Sequence, residues 1–243
     1  MLFRSILFLA RTISRREKKK KGMLELFRTL VLILPIVGLV GTSNLSTAVI
    51  ILGIAVILVF VSSPFYLPFV GLFGAGAGFM GIFLGLESYR LERIAIWRDP
   101  ESYEKGFQTI QGLYAIGSGG LFGTGLGGSI QKLGFVPEAQ NDMIFSIICE
   151  ELGLVGAGIL LLLFLVLIWR FFLVSVHAPD LLGSLIAAGV MGHISIQVIL
   201  NVAVVTNTIP NTGITLPFVS YGGTSILFLL AEMGLVLGIS RKC

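Results

Sequence analysis

One aspartate of this chain stands where a polar segment meets a long apolar run, and it is the residue best placed to do chemistry. Asp142 belongs to residues 137–145, with the sequence PEAQNDMIF. A carboxylate at the mouth of a membrane helix is costly and is therefore a candidate functional group. The alternative is a helix N-cap, since aspartate accepts backbone N–H bonds and suits the helix dipole. Position alone does not separate these two interpretations.

The composition predicts that the elements around this aspartate cross a membrane. The chain has 243 residues, of which 55% are hydrophobic and 12% charged, and its mean hydropathy is +0.97. Residues 29–86 and 181–231 contain no Asp, Glu, Lys or Arg. Since roughly 20 apolar residues cross a bilayer, these stretches hold about three and two helices. We therefore predict an all-α, polytopic transmembrane helix bundle of about six or seven spans, forming a single integral membrane domain over residues 1–243.

Proline, glycine and small polar residues interrupt the apolar runs and locate the ends of the helices. The first residues, 1–10, resemble the end of a further span. The complete spans are then expected at 24–41, 46–62, 65–86, 143–170, 182–206 and 218–239.

A block of basic residues between Arg11 and Lys21 sets the expected orientation. Beside a membrane span, such a block indicates a cytoplasmic loop rather than a nucleic-acid site. Counting spans from it places residues 87–142, a large loop, outside the cell. Asp142 then ends this extracytoplasmic loop.

The remaining residues that commonly do chemistry point to structural roles. Cys149 and Cys243 are expected not to pair, and no cysteine or histidine spacing indicates a metal site. We predict no cofactor. His193 lies within a predicted span with Gln197 four residues later. This spacing favours a hydrogen bond between helices over catalysis.

A glycine-dense stretch crosses the large loop at residues 117–128, with the sequence GSGGLFGTGLGG. Glycines allow close approach of the backbone and positive φ angles. No Walker lysine follows them, which argues against a nucleotide-phosphate loop. We expect a re-entrant hairpin at the membrane interface, shielded by protein and facing a polar groove.

Two long motifs carry a family resemblance that covers nearly the whole chain. The first comprises GFQ at 106–108, IGSGGLFGTGLGG at 116–128, QKLG at 131–134, VPEAQNDMIF at 136–145 and EELG at 150–153. The second is PNTGITLPFVSYGGTS at 210–225. Together they resemble the SEDS family (FtsW, RodA and SpoVE), peptidoglycan glycosyltransferases of bacterial growth, division and sporulation. Members of that family begin with further spans, so we expect this sequence to be amino-terminally truncated.

The resemblance implies a substrate and a catalytic residue. The substrate is lipid II, a disaccharide-pentapeptide on undecaprenyl diphosphate, polymerised into glycan strands at the outer face of the bacterial plasma membrane. Asp142 matches the family's catalytic aspartate, and a carboxylate near an apolar boundary suits general-base work.

Other residues are expected to contact the substrate. Arg90, Arg93 and Lys132 are candidates to neutralise the diphosphate, because cations bind phosphate oxygens strongly. The alternative for the two arginines is pairing with Glu87 and Glu92 as interfacial anchors. Further candidates for substrate binding are Glu138, Ser220 and Tyr221, although packing is the alternative for the last two. Assistance by a divalent metal at the diphosphate stays open.

Partners and rival functions complete the expectations. The resemblance implies a class B penicillin-binding transpeptidase with one membrane span as partner, besides membrane lipid. Gly74 and Gly78 have the small-residue spacing that suits close helix contact, either with that partner or within the protein. A lipid II flippase and an inactive, truncated scaffold are the alternative functions.

Overall fold

The computed structural model describes residues 2–17, 33–42, 44–62, 74, 78 and 88–243, and regular structure within them is helical. The predicted all-α class is therefore confirmed. The helices are α1 (Leu2–Glu17), α2 (Ile33–Thr42), α3 (Leu45–Ser62), α4 (Ser88–Arg98), α5 (Phe107–Gly119), α6 (Ile144–His177), α7 (Leu181–Val205) and α8 (Gly223–Ser240).

Four of these helices, α3, α6, α7 and α8, are long and apolar enough to cross a membrane. They correspond to the predicted spans 46–62, 143–170, 182–206 and 218–239. The span expected at 24–41 is described only from Ile33, as the shorter helix α2. The span expected at 65–86 lies outside the described residues, apart from Gly74 and Gly78.

Two predicted helix ends differ from the structure. α6 continues to His177, because residues 171–177 hold no proline or glycine to end it. α8 begins at Gly223 rather than 218. Phe218 has a φ of 63°, a left-handed conformation that a helix does not contain.

The chain divides into two compact units. The first consists of residues 1–83, 168–196 and 227–243, and the second of residues 84–167 and 197–226. Both motifs and Asp142 lie in the second unit.

In the first unit, glycines of α7 allow neighbouring helices to approach closely. A Cβ atom on Gly189 would lie 2.7 Å from the Ile6 side chain, and one on Gly192 would lie 2.6 Å from Ile57. His193 Nδ1 lies 2.9 Å from Glu232 Oε2, and both side chains are buried. The predicted hydrogen bond of His193 between helices is therefore confirmed, with α8 as the partner helix.

In the second unit, a break in α6 determines the path of the large loop. Gly153 has φ 67° and ψ −173°, a region that essentially only glycine adopts. The break takes the carbonyl groups of Glu150 and Glu151 away from helical partners. The amide of Thr124 donates to the Glu150 carbonyl at 2.9 Å, and that of Gly125 donates to the Glu151 carbonyl at 3.0 Å.

Beyond the break the roles are reversed, because amides of α6 donate to carbonyl groups of the loop. The amides of Leu154 and Val155 donate to the carbonyls of Gly120 and Leu121, at 2.9 and 3.1 Å. Residues 119–135, named here the glycine-rich segment, thus exchange backbone hydrogen bonds with α6 in both directions. Such an exchange satisfies the groups that a broken helix leaves unpaired.

Two carboxylates of α6 hold the far end of the glycine-rich segment. Glu150 accepts hydrogen bonds from the Ser129 hydroxyl and, at 3.1 Å, from the Ile130 amide. Glu151 lies 2.5 Å from Lys132 Nζ in an ion pair. Both glutamates therefore position the loop.

We expect Gly153→Ala to lower the free energy of unfolding by about 2 kcal/mol or more, because the alanine would hold a glycine-only conformation. Its Cβ would also overlap the backbone of Leu121 and Gly123. Thermal unfolding of the purified protein in detergent measures this loss. Gly158→Ala is the control, since its Cβ would meet nothing within 4 Å in the same helix. Equal stability of the two variants would contradict the proposed role of the break.

Candidate functional site

Asp142 lies two residues before α6, and its backbone is held by a buried amide. The residue is 9% exposed. Asn201 of α7 donates from Nδ2 to the carbonyl oxygens of Asp142 and Ile214, both at 2.7 Å. One side chain thereby joins the segment before α6 to the segment that contains the second motif.

The second motif makes further hydrogen bonds to the turn before the aspartate. The Ser220 hydroxyl donates to the Asn141 carbonyl at 2.6 Å and accepts from the Leu216 amide at 2.7 Å. The Tyr221 amide donates to the Gln140 carbonyl at 2.9 Å. Ser220 therefore positions the backbone, whereas the Tyr221 side chain is 75% exposed.

A chain of amides leads from an arginine to the carboxylate. Gln108 Nε2 lies 3.5 Å from Asp142 Oδ1 and 3.3 Å from the Pro137 carbonyl. Asn211 Nδ2 donates to Gln108 Oε1 at 3.2 Å, and the Asn211 carbonyl accepts from Arg93 at 3.1 Å. These bonds orient Gln108 toward the aspartate. The arrangement differs from an N-cap, in which the carboxylate accepts from the first amides of the helix.

The carboxylate lines a polar cavity of about 460 Å³. Arg93 and Lys105 bring positive charge to the same cavity, and Lys105 Nζ also lies 2.9 Å from Glu92 Oε1. Cavities of a few hundred Å³ with convergent polar groups are typical of small-molecule sites. The lining residues include Trp97, Glu104, Gln108, Thr109, Pro137, Asn207, Asn211 and Gly213.

Burial raises the pKa of Asp142 above its ordinary value of 3.8, and the negative charge of Glu138 adds to the rise. A hydrogen bond from the aspartate's own amide opposes both effects. A carboxylate whose pKa is raised accepts a proton more readily, which is what a general base must do.

The structure does not bring all the predicted residues to this cavity. Lys132 and Glu138 line a second cavity of about 610 Å³, together with Leu133, Val136, Ala139, Gln140, Ile144 and Ile147. Glu138 accepts a hydrogen bond from Asn141 Nδ2. Arg90 belongs to α4, but the position of its side chain lies outside what the structure describes.

Sequence reasoning assigned no role to four residues that matter here. Gln108 and Asn211 lie within the two motifs, so their positions were visible but their pairing was not. Asn201 interrupts an apolar run, which is a signal for a polar contact between membrane helices. Lys105 was not singled out, because the loop around it carries nearly equal numbers of acidic and basic residues.

These observations define a class of protein: a polytopic, all-α membrane protein with a buried carboxylate in a polar cavity at the end of one span. A sequence profile of the FtsW/RodA/SpoVE family, described as cell cycle protein, matches residues 3–243. The chain therefore belongs to the FtsW/RodA/SpoVE family.

Individual relatives agree with this membership. The chain is 42% identical to stage V sporulation protein E of Bacillus subtilis (strain 168), over 97% of this chain and 66% of that protein. It is 33% identical to a probable peptidoglycan glycosyltransferase FtsW of Geobacter sp. (strain M18), over 98% of this chain and 66% of that protein. The chain thus spans about two thirds of the length of these curated relatives.

A solved structure shares the fold. Its description reads "Structural coordination of polymerization and crosslinking by a peptidoglycan synthase complex". The two chains are 30% identical and superpose with a TM-score of 0.81. The similarity covers 99% of this chain and 69% of that chain.

We expect Asn201→Leu to lower the free energy of unfolding by about 2 kcal/mol or more, because it leaves two buried carbonyl groups without a donor. Thermal unfolding in detergent measures the change. Ile199→Leu serves as the control, since Ile199 is exposed on the same helix. If both variants unfold at the same temperature, the Asn201 amide does not hold the site together.

Proposed function

We propose that this chain carries the catalytic site of a peptidoglycan glycosyltransferase that polymerises lipid II into glycan strands. The observation that carries the proposal is the buried Asp142 carboxylate, which lines one cavity with the cations Arg93 and Lys105. The name of the FtsW relative, a probable peptidoglycan glycosyltransferase, supports the same reaction.

In this reaction Asp142 acts as general base. The 4-hydroxyl of an acceptor GlcNAc attacks C1 of a donor MurNAc, and the bond from C1 to the diphosphate oxygen breaks. The diphosphate-linked lipid leaves with the bonding electrons, C1 is inverted, and Asp142 takes the hydroxyl proton as attack develops. The rise in pKa that follows from burial favours this transfer.

The cations of the cavity neutralise the leaving diphosphate. Arg93 offers a planar, bidentate fork and Lys105 a point charge, and both lie beside the carboxylate cavity. Arg90 is one turn before Arg93 on α4 and stays a candidate. Lys132 and Glu138 also stay candidates, but the ion pair of Lys132 with Glu151 favours a positioning role for that lysine.

The proposal includes the orientation of the chain in the membrane. The basic block between Arg11 and Lys21 supports a cytoplasmic position for that segment, and hence an extracytoplasmic position for residues 87–142 at the bacterial plasma membrane.

A class B penicillin-binding transpeptidase with one span is the proposed partner. The similar structure of a complex for polymerization and crosslinking supports it.

We expect Asp142→Asn to abolish polymerisation, with a loss of at least about 10²-fold, because an amide cannot act as the base. The chain is tested in place of the matching region of stage V sporulation protein E, reconstituted with lipid II, and glycan strands are separated on gels. Asp180→Asn is the control, because this exposed aspartate accepts a bond from the Gly183 amide at the start of α7.

The pH profile of the same proteins tests the assignment independently. Because the folded pKa is raised, activity should rise with pH through a value above 3.8, and this rise should be absent from the residual activity of Asp142→Asn. The same shift gives a stability contribution that is present at low pH and lost as pH rises through the folded pKa. Near-normal polymerisation by Asp142→Asn would exclude Asp142 as the general base. Transport of lipid II without polymer by the unsubstituted protein would favour a flippase.

We expect Arg93→Ala and Lys105→Ala each to raise KM for lipid II about tenfold, because each removes a charge-assisted contact with the diphosphate. Lys132→Ala is the matched comparison outside the cavity and should change KM less. Steady-state kinetics with lipid II measure both effects. A larger rise in KM for Lys132→Ala than for the other two would place the diphosphate in the second cavity instead.

A further inference from the structure

The glycine-rich segment, residues 119–135, presents an unusual apolar surface. Its only charged residue is Lys132, which is paired with Glu151. Apolar patches of this kind mark a contact with a protein, a ligand or a membrane. Six large apolar side chains are between 51% and 84% exposed: Leu121, Phe122, Leu126, Ile130, Leu133 and Phe135.

The charges of α6 show where this segment lies relative to the bilayer. Between Glu151 and Arg170 there are eighteen uncharged residues. At a rise of about 1.5 Å per residue they extend about 27 Å, close to the ~30 Å hydrocarbon core. This spacing favours a hydrocarbon boundary near Glu151, at the level of the break, with the first turns of α6 outside the uncharged stretch.

The glycine-rich segment is bound to α6 at that same level. Its Gly120 and Leu121 carbonyls accept hydrogen bonds from Leu154 and Val155, which begin the uncharged stretch. Leu154, Val155 and Leu121 are all exposed. The exposed side chain of Leu121 therefore adjoins the exposed apolar side chains with which the uncharged stretch of α6 begins.

Part of the backbone of the segment is hydrogen-bonded to α6. Irregular backbone that faces lipid does not occur within the hydrocarbon core, so a non-helical segment that meets lipid must lie at the interface. The amides of Thr124 and Gly125 donate to carbonyls of α6, and those of Ser129 and Ile130 to the carboxylates of Glu151 and Glu150. These bonds leave the apolar side chains to face outward.

We propose that the glycine-rich segment is a membrane anchor whose apolar side chains insert into the lipid interface beside α6. The partner of this surface is the bilayer itself. Because residues 136–142 follow directly, the anchor sets the height of Asp142 above the hydrocarbon boundary. The proposal depends on the α6 span and the exposed side chains, and it stands whether or not the chain is a glycosyltransferase.

Site-directed fluorescence tests the anchor. The background protein carries Cys243→Ser, and its remaining cysteine, Cys149, is buried and therefore protected from the label. In this background, single cysteines replace Phe122, Leu126 or Leu133, which are exposed. The background protein without an added cysteine controls for label at Cys149. Each variant carries an environment-sensitive nitrobenzoxadiazole label and is reconstituted into vesicles of phosphatidylethanolamine and phosphatidylglycerol. Tyr103→Cys is the matched control, since Tyr103 is exposed in the polar part of the loop.

We expect lipids with a nitroxide at a shallow acyl carbon to quench roughly half of the emission at the three test positions, because interfacial side chains reach ~5–10 Å into the headgroup and acyl boundary. Iodide in the water should quench the label at position 103 instead. Strong iodide quenching at all three test positions, without quenching by the lipid nitroxide, would overturn the proposal.

Discussion

A broken helix inside or beside a membrane must find other partners for its backbone groups, and this requirement organises the second unit. At Gly153, α6 gives up helical hydrogen bonds that water cannot replace in an apolar environment. The glycine-rich segment supplies donors and acceptors on both sides of the break. The loop is thereby attached to α6, and residues 136–142, which follow the glycine-rich segment, lead into the start of the same helix.

The site holds the backbone of Asp142 firmly and its carboxylate loosely. The Asp142 carbonyl receives a 2.7 Å bond from Asn201, whereas Gln108 reaches the carboxylate only at 3.5 Å. Under the proposed function, Asp142 needs a fixed position and a free lone pair, and different hydrogen bonds meet these two requirements. Burial without strong stabilisation of the charge is also what raises the pKa of this group.

The parts of this architecture that follow from hydropathy were predictable, and those that follow from pairing were not. Four spans, Asp142 and Arg93 could be located because long apolar runs and isolated charges are visible in one sequence. The break was not visible, since Gly153 is one of 31 glycines and a positive φ leaves no mark in the sequence. The separation of Lys132 from the Asp142 cavity depends on its pairing with Glu151, which lies nineteen residues away.

The first part of α6, before the break, lies outside the uncharged stretch of that helix. From Ile144 to Glu151 this part of the helix is about 10 Å long, at a rise of about 1.5 Å per residue. A lipid-linked diphosphate lies at the headgroup level, with its sugars further out. Under the proposed function and the proposed anchor, this part of α6 separates Asp142 from the hydrocarbon boundary, while Arg93 and Lys105 line the cavity that must also hold the diphosphate. A base that acts on a sugar hydroxyl must lie outside the hydrocarbon core, and under the same proposals the first part of α6 meets this condition.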